Sequence, residues 1–198
     1  MPADTPDLIA LLGSRICHDL ISPLGAIGNG VELLTMTGTM PGPELALIAE
    51  SVTNANARIR FFRIAYGAAA PGQDVARAEI RSILDDMTRG GRLKIDWGVA
   101  GDAARAEAKL AFLALQCLES ALPFGGRIRV ATDGGLWQIG AEAPKLKIEA
   151  PLWARLRGEE GGEITAAQVQ FALFAAELER QGRRLTLRLG EHEIALRY

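Results

Sequence analysis

One histidine, His18, stands in a sequence context that could support chemistry. An acidic residue, Asp19, follows it directly, and Pro23 comes five residues after it. A carboxylate can hydrogen-bond an imidazole and fix its tautomer, and a neutral ring nitrogen is a nucleophile. A lone histidine on a helix is usually a surface or packing residue, but this context favours His18 as the acceptor of a phosphoryl group. The sequence leaves open which ring nitrogen would carry that group.

Arginines provide the second chemical feature of this region. The first 70 residues contain no lysine and four arginines, which are Arg15, Arg58, Arg60 and Arg63. If the chain folds back near Met40, position 18 lies level with about position 62, so all four fall at or near the level of His18. Guanidinium groups match the oxygens of a phosphoryl group. We therefore expect Arg60 and Arg63, with Arg15 a weaker candidate, to steady the phosphoryl charge.

Two amphipathic helices must position these side chains. Apolar residues recur every three or four positions in a first stripe, at Ile9, Leu12, Ile16, Leu20, Leu24, Ile27, Val31 and Leu34. A second stripe follows at Leu45, Ile48, Val52, Ala55, Ile59, Phe62 and Tyr66. Asp4, Thr5 or Asp7 can cap the first helix, and Pro23 is expected to kink it. The breaker-rich stretch 35–43 predicts a short loop, and hence an antiparallel helical hairpin.

The position of His18 on this hairpin follows from the helical period. At about 100° per residue from Ile16, the histidine points away from the apolar stripe. Its face carries small or polar residues, namely Ser14, Arg15, Ser22, Gly25 and Asn29. We therefore expect His18 to be exposed, with Ser22 beside it as a further candidate for contact with phosphate or a partner. A lone hairpin buries little surface, so we also expect a homodimer whose hairpins form a four-helix bundle.

The remainder of the chain predicts a second domain at 73–198, after a helical domain at 1–72. Helices are expected at 75–88, 103–122 and 165–181. Strands are expected at 92–99, 127–132, 136–141, 185–189 and 193–198, with a further short strand at 145–150. Asp133-Gly134-Gly135 is expected to be a plain hairpin turn. This order predicts an α+β sandwich with helices on one face of a mixed sheet.

Composition excludes several classes of function. The chain has 198 residues and a formal net charge of -2, so no general basic field suggests nucleic acid. Its apolar runs are expected to be too short and interrupted to span a membrane, and its acidic N-terminus is unlike a signal peptide. Two cysteines and two histidines without paired spacing favour neither a disulfide framework nor a zinc site. We therefore expect a cytoplasmic protein.

The segment from His18 to Ile27 (HDLISPLGAI) resembles the H-box of sensor histidine kinases. Together with 14–17, 28–30 and 60–67, it is similar to the ChpT-type histidine phosphotransferases of alphaproteobacterial phosphorelays. That resemblance implies that His18 receives a phosphoryl group from the receiver domain of a hybrid histidine kinase. The group then passes to response regulators, including a DNA-binding one, while Asp19 orients the ring. Magnesium is expected on the receiver partner, and no metal is expected on this chain itself.

The second domain resembles the ATP-binding domain of histidine kinases, the Bergerat fold. Such domains need a magnesium-binding asparagine, a D-x-G-x-G loop and a glycine-rich lid. Aligned on the glycines that end the long helix, this chain has Cys117 at the position of the asparagine, with Gln116 beside it, and it lacks both motifs at 142–145 and 163–167. We therefore expect no use of ATP. An ATP-dependent kinase with a divergent site and a non-catalytic dimeric scaffold for response regulators remain alternatives.

Overall fold

The computed structural model describes residues 7–37 and 43–198. Its helices are α1 (Leu8–Thr37), α2 (Pro43–Ala65), α3 (Arg77–Thr88), α4 (Arg105–Ser120), α5 (Ala150–Leu156) and α6 (Val169–Arg180), with a 3-10 helix at Ala166–Gln168. Its strands are β1 (Asp74–Val75), β2 (Leu93–Trp97), β3 (Ala103–Ala104), β4 (Gly126–Asp133), β5 (Leu136–Glu142), β6 (Thr186–Leu189) and β7 (Glu193–Arg197). The predicted α+β class, a helical hairpin followed by a mixed sheet with helices, is confirmed.

Asp7 caps the N-terminus of the first helix of the hairpin. Asp7 Oδ1 accepts hydrogen bonds from the backbone N–H groups of Ile9 and Ala10, at 3.0 and 3.1 Å. The alternative caps Asp4 and Thr5 lie outside the described residues, as do positions 38–42 of the predicted loop. Helix α1 continues through Pro23, which is buried, so the proline does not end it. A kink at this position stays a prediction.

The second domain is built on a five-stranded sheet in the order β2-β4-β5-β7-β6. Strands β2 and β4 run parallel, and the other neighbours are antiparallel. Alternate residues of the strands are buried, including Ile128, Val130, Ile139 and Ala141. Helix α4 is buried from Ala108 to Leu118 and covers this apolar face with α6. The predicted sandwich with helices on one face of the sheet is therefore confirmed.

The base of the hairpin and the second domain share one hydrophobic core. Phe61, Ile64 and Ala65 near the end of α2 are fully buried in the same cluster as α4. The rings of Phe61 and Phe112 lie 4.6 Å apart between their centroids. Lys109 Nζ also donates a hydrogen bond of 3.1 Å to the Gly67 carbonyl. The two parts of the chain are therefore packed together rather than joined only by a linker, while the predicted boundary at 72/73 stays a prediction.

The predicted strand at 145–150 is wrong. Strand β5 is already paired with β4 on one side and β7 on the other, so the sheet offers this segment no edge at that position. The Lys147 N–H donates instead to the Ala121 carbonyl at 3.0 Å. Helix α5 begins at Ala150, with Pro151 in its first turn, where proline is well tolerated. Seven residues are too few for apolar periodicity to show this helix in the sequence.

Two predicted helices begin slightly later than expected. Asp74 and Val75 pair with Ala104 and Ala103 as the short antiparallel ladder of β1 and β3. Helices α3 and α4 therefore start at Arg77 and Arg105, each just after one of these strands. The third predicted helix opens with the 3-10 turn that precedes α6. These differences move the ends of elements but leave their order unchanged.

Helix α1 also corrects the expectation that every apolar run is too short to span a membrane. The stretch Leu8–Leu34 is long and apolar enough to do so, with a mean hydropathy of 1.2. Length and composition alone are a weak indication of a span, since core helices and signal sequences meet the same criterion.

Candidate functional site

His18 lies on the outer side of α1 with 85% of its side chain exposed, which confirms the predicted exposure. It borders a groove of about 520 Å³ between α1 and α2. Ser22 and Pro23 line this groove from α1, and Asn54 and Arg58 line it from α2. The histidine is therefore open to a large reactant and lies beside a concave surface formed by both helices.

Asp19 holds the ring of His18. The Nδ1 atom of His18 lies 3.2 Å from Oδ1 of Asp19. An ionised carboxylate can only accept a hydrogen bond, so this contact favours the tautomer with the ring proton on Nδ1. The lone pair then resides on Nε2, as a nucleophile requires. Only 9% of the Asp19 side chain is exposed, so the orienting carboxylate is shielded while the ring is open.

The second oxygen of Asp19 is held by two arginines. Its Oδ2 lies 2.9 Å from Nε of Arg15 and 3.7 Å from Nη1 of Arg58. The imidazole and the guanidinium groups thus contact different oxygens of one carboxylate, which restricts its rotation. Position 19 meets position 58, whereas a fold centred at Met40 would set it level with position 61. An arginine of α2 therefore lies near the level of His18, as predicted.

The expected approach of Arg60 and Arg63 to His18 is corrected by this geometry. Arg60 Nη1 lies 3.6 Å from Oδ2 of Asp86, and Arg63 Nη2 lies 2.7 Å from Oε1 of Glu79. Both acidic partners belong to α3 of the second domain. Because an α-helix turns about 100° per residue, Arg60 lies roughly 200° around α2 from Arg58. The arginine of α2 that reaches the histidine's partner is Arg58.

Arg58 was missed as a site residue although the sequence held a signal for it. It follows Ala55 by three positions and precedes Phe62 by four, so it continues the predicted apolar seam. Ala55 and Phe62 are both buried in the structure. A residue in the seam of α2 faces α1. Arg58 therefore faces α1, and this position around the helix distinguishes it from the other arginines of α2.

The second domain contacts the site at the Ala167 carbonyl and acts on it electrostatically through Glu119. Arg15 Nη1 donates a hydrogen bond of 2.6 Å to the Ala167 carbonyl in the 3-10 helix. Glu119, near the end of α4, is partly buried. Burial raises the pKa of its carboxyl, while Arg58 and Arg15 act to lower it. The site around His18 therefore includes groups from both domains.

The positions aligned with a kinase nucleotide site are occupied by internal contacts. Gln116 is buried, and its Oε1 accepts a hydrogen bond of 2.8 Å from the Tyr66 hydroxyl at the base of the hairpin. Burial raises the pKa of Tyr66 to about 12, so the hydroxyl keeps its proton at neutral pH. Cys117 is fully buried and packs in the core. Within residues 7–37 and 43–198, no group of three acidic, histidine or cysteine side chains could hold a metal ion.

Three comparisons bear on this arrangement. A family model described as the histidine phosphotransferase C-terminal domain matches residues 77–193. The chain is 39% identical over 130 residues to "Protein phosphotransferase ChpT" of Brucella abortus (strain 2308), which is 65% of this chain and 62% of that protein. The match thus spans less than two thirds of that relative. A bacterial phosphotransferase solved at 1.7 Å is 30% identical, with a TM-score of 0.81 over 100% of this chain and 98% of that one.

Proposed function

The chain belongs to the histidine phosphotransferase family, and from that premise we propose that it relays a phosphoryl group through His18. The donor is the receiver aspartate of a hybrid histidine kinase, and the acceptors are the aspartates of response regulators. The observation that carries this proposal is the pairing of an exposed imidazole with a shielded carboxylate at its Nδ1. This arrangement leaves Nε2 available to a protein-sized reactant.

The transfer step uses the lone pair of Nε2. That pair forms the N–P bond while the P–O bond of the aspartyl phosphate breaks, and the partner's carboxylate leaves with the bonding electrons. The ring keeps its proton on Nδ1, so the phosphorylated ring carries a positive charge. Asp19 stabilises that charge through the contact of 3.2 Å to Nδ1. Attack by the next aspartate reverses these steps, and no proton has to leave the site.

The partner is proposed to dock in the groove beside His18, where Ser22 and Arg58 face the incoming phosphoryl group. In this proposal the magnesium ion belongs to the receiver, and the chain binds no metal or ATP of its own. The proposed absence of ATP chemistry is supported by Cys117, which is aligned with the magnesium-binding asparagine and is fully buried, and by its neighbour Gln116, which is engaged by Tyr66. The proposed location is the cytoplasm, and neither nucleic acid nor a membrane is a proposed partner.

A homodimer completes the proposed assembly. Large apolar residues on the hairpin are between 40% and 59% exposed at heptad spacing, namely Leu24, Val31, Leu45, Val52 and Ile59. Seven-residue spacing is typical of helices that pack against further helices in a bundle. Two hairpins are therefore proposed to form a four-helix bundle that carries two acceptor histidines on its surface.

The relay is tested by incubating the protein with a purified, phosphorylated receiver domain. Wild-type protein is expected to acquire an acid-labile label, and His18→Ala is expected to acquire none while keeping its circular dichroism spectrum. Transfer from the labelled protein to a response regulator should restore the unlabelled form. Equal downstream phosphorylation with wild type and His18→Ala would contradict the proposal and favour a scaffold. Labelling of His18 by ATP and magnesium alone would favour the kinase alternative.

A further inference from the structure

A single guanidinium group connects the second domain to the candidate acceptor. Arg15 Nε lies 2.9 Å from Asp19 Oδ2, and its Nη1 lies 2.6 Å from the Ala167 carbonyl. Its side chain is only 18% exposed. Since Asp19 Oδ1 holds the ring of His18, one continuous path of polar contacts runs from the 3-10 helix to the imidazole. The second domain thus reaches the histidine without touching it.

The Ala167 carbonyl is a firmly placed end of this path. Its 3-10 helix is closed by a capping box between Thr165 and Gln168. Gln168 Nε2 also donates a hydrogen bond of 2.9 Å to Oε2 of Glu149, immediately before α5. Lys147 Nζ lies 2.8 Å from the other oxygen of Glu149. The segment that carries this carbonyl is therefore positioned by contacts within the second domain.

At Arg15, the path depends on a planar, branched hydrogen-bond donor, the guanidinium group. A guanidinium presents N–H groups in fixed and divergent directions, so one arginine can hold a carbonyl and a carboxylate together. A lysine has one nitrogen, which must choose between them or hold both in poorer geometry. Arg58 lies farther from Asp19, at 3.7 Å. Of the two arginines at Asp19, Arg15 donates a hydrogen bond to the second domain, at the Ala167 carbonyl.

Apolar packing also holds α1 in place against the second domain. Leu8, Leu11, Ile16 and Leu20 of α1 are partly buried against the shared core. Arg15 lies within this stretch, so the helix segment that carries His18 is held on the second domain along one side. Small rotations of α1, which would carry Arg15 away from the Ala167 carbonyl, are opposed by this packing.

We propose that the second domain orients the acceptor histidine through Arg15, an inference that rests on the relay proposed above. The Ala167 carbonyl fixes the guanidinium, the guanidinium fixes the Asp19 carboxylate, and the carboxylate fixes the Nδ1–H tautomer of His18. Arg15 is thus a positioning residue and not a contact of the phosphoryl group. The second domain thereby fixes the orientation of the His18 ring for phosphoryl transfer.

The proposal is tested with Arg15→Lys, which keeps the charge but loses the branched donor. Transfer from a phosphorylated receiver is expected to show a kcat about tenfold lower with KM within about twofold of wild type, since orientation and not docking is impaired. ¹⁵N NMR of the imidazole should show His18 shifting from the Nδ1–H tautomer to a mixture. Arg89→Lys, an exposed arginine paired with Asp86 on α3, is the matched control and should match wild type.

A remote variant tests the path without altering the hairpin. Gln168→Ala removes the capping box that closes the 3-10 helix. Compared with Arg15→Lys, we expect the same two changes, a lower kcat and a mixture of His18 tautomers, by a smaller factor. If Arg15→Lys fails to fold, Gln168→Ala by itself still tests whether the second domain orients His18. Wild-type kcat and an unchanged tautomer in a folded variant would overturn the positioning role. A raised KM with unchanged kcat would overturn it in favour of partner docking. In either case wild-type labelling at His18 would leave the relay itself standing.

Discussion

At the scale of residues, the site is organised by the two oxygens of Asp19. One oxygen holds the ring of His18, and the other faces Arg15 and Arg58. The arginines also compensate a carboxylate that is largely shielded from water, which would be costly if it were unpaired. The histidine pays no comparable desolvation penalty because it is exposed. Charge is thus neutralised beneath the ring while the reacting nitrogen stays in solvent.

The two neighbouring arginines of α2 are expected to differ in their effect on transfer. Arg58→Gln removes a cation from both Asp19 and the groove, so the transfer rate should fall by about threefold to tenfold. Arg60→Gln should slow transfer less, because Arg60 is paired with Asp86 on α3. Rapid-quench phosphotransfer measures the rates, and thermal unfolding shows that both variants are folded. A larger loss of rate in Arg60→Gln would restore the original phosphate role of that arginine.

At the scale of elements, the base of α2 and helix α4 form the main junction of the molecule. The aromatic residues Phe61 and Phe112 supply its apolar part, and the hydrogen bond between Tyr66 and Gln116 supplies its polar part. The buried Gln116 amide has few ways to be satisfied if this donor is lost. The junction therefore couples the hairpin that carries the candidate site to the core of the second domain.

Tyr66→Phe is expected to destabilise the protein by about 1 to 3 kcal/mol, because it leaves the Gln116 carbonyl oxygen without its donor. Burial raises the pKa of Tyr66 to about 12, while an unfolded tyrosine ionises near 10. Above about pH 10 the folded state therefore binds more protons than the unfolded state, and stability falls as pH rises.

Urea unfolding of both proteins between about pH 8 and 11 measures this effect. The stability of wild type should fall more steeply than that of Tyr66→Phe, and the gap between them should narrow above about pH 10. The chain has two tyrosines, and burial also raises the pKa of Tyr198, so a slope common to both proteins is expected from that residue. Parallel curves would show that the Tyr66 hydroxyl is not protected from ionisation.

At the scale of the whole molecule, the hairpin has more apolar surface than one chain covers. The predicted stripes divide between two directions, since Ala55 and Phe62 are buried while Leu45, Val52 and Ile59 are exposed. The first set packs within the chain, and the second forms a heptad row on the outside. Exposed apolar rows of this kind are typical of a helical interface.

Val52→Glu is expected to convert the proposed dimer into a monomer, because it places a charge in the exposed heptad row. Light scattering after size exclusion measures the mass of each protein at micromolar concentration. Leu136→Glu is the matched control, since Leu136 is an apolar residue of similar exposure but lies in the sheet, away from the hairpin. A monomeric wild-type protein, or a dimeric Val52→Glu, would contradict the four-helix bundle.

The sequence by itself determined the features that depend on local patterns. Helical periodicity predicted the hairpin and the exposure of His18, and strand alternation with glycine turns predicted the sheet apart from the segment at 145–150. The adjacency of His18 and Asp19 pointed to their contact, because neighbouring residues cannot move far apart. Such features are carried by residues a few positions apart, where backbone geometry limits the outcomes.

Only the tertiary structure decided which distant groups meet at the site. It selected Arg58 over Arg60 and Arg63, because the choice depends on the rotation of α2 relative to α1 and α3. It also brought the Ala167 carbonyl to Arg15 across a separation of 152 positions. No local pattern encodes such a contact, since it results from the packing of whole elements on a shared core. The acceptor and its neighbour Asp19 could therefore be predicted from the sequence, whereas the distant groups that hold Asp19 in place could not.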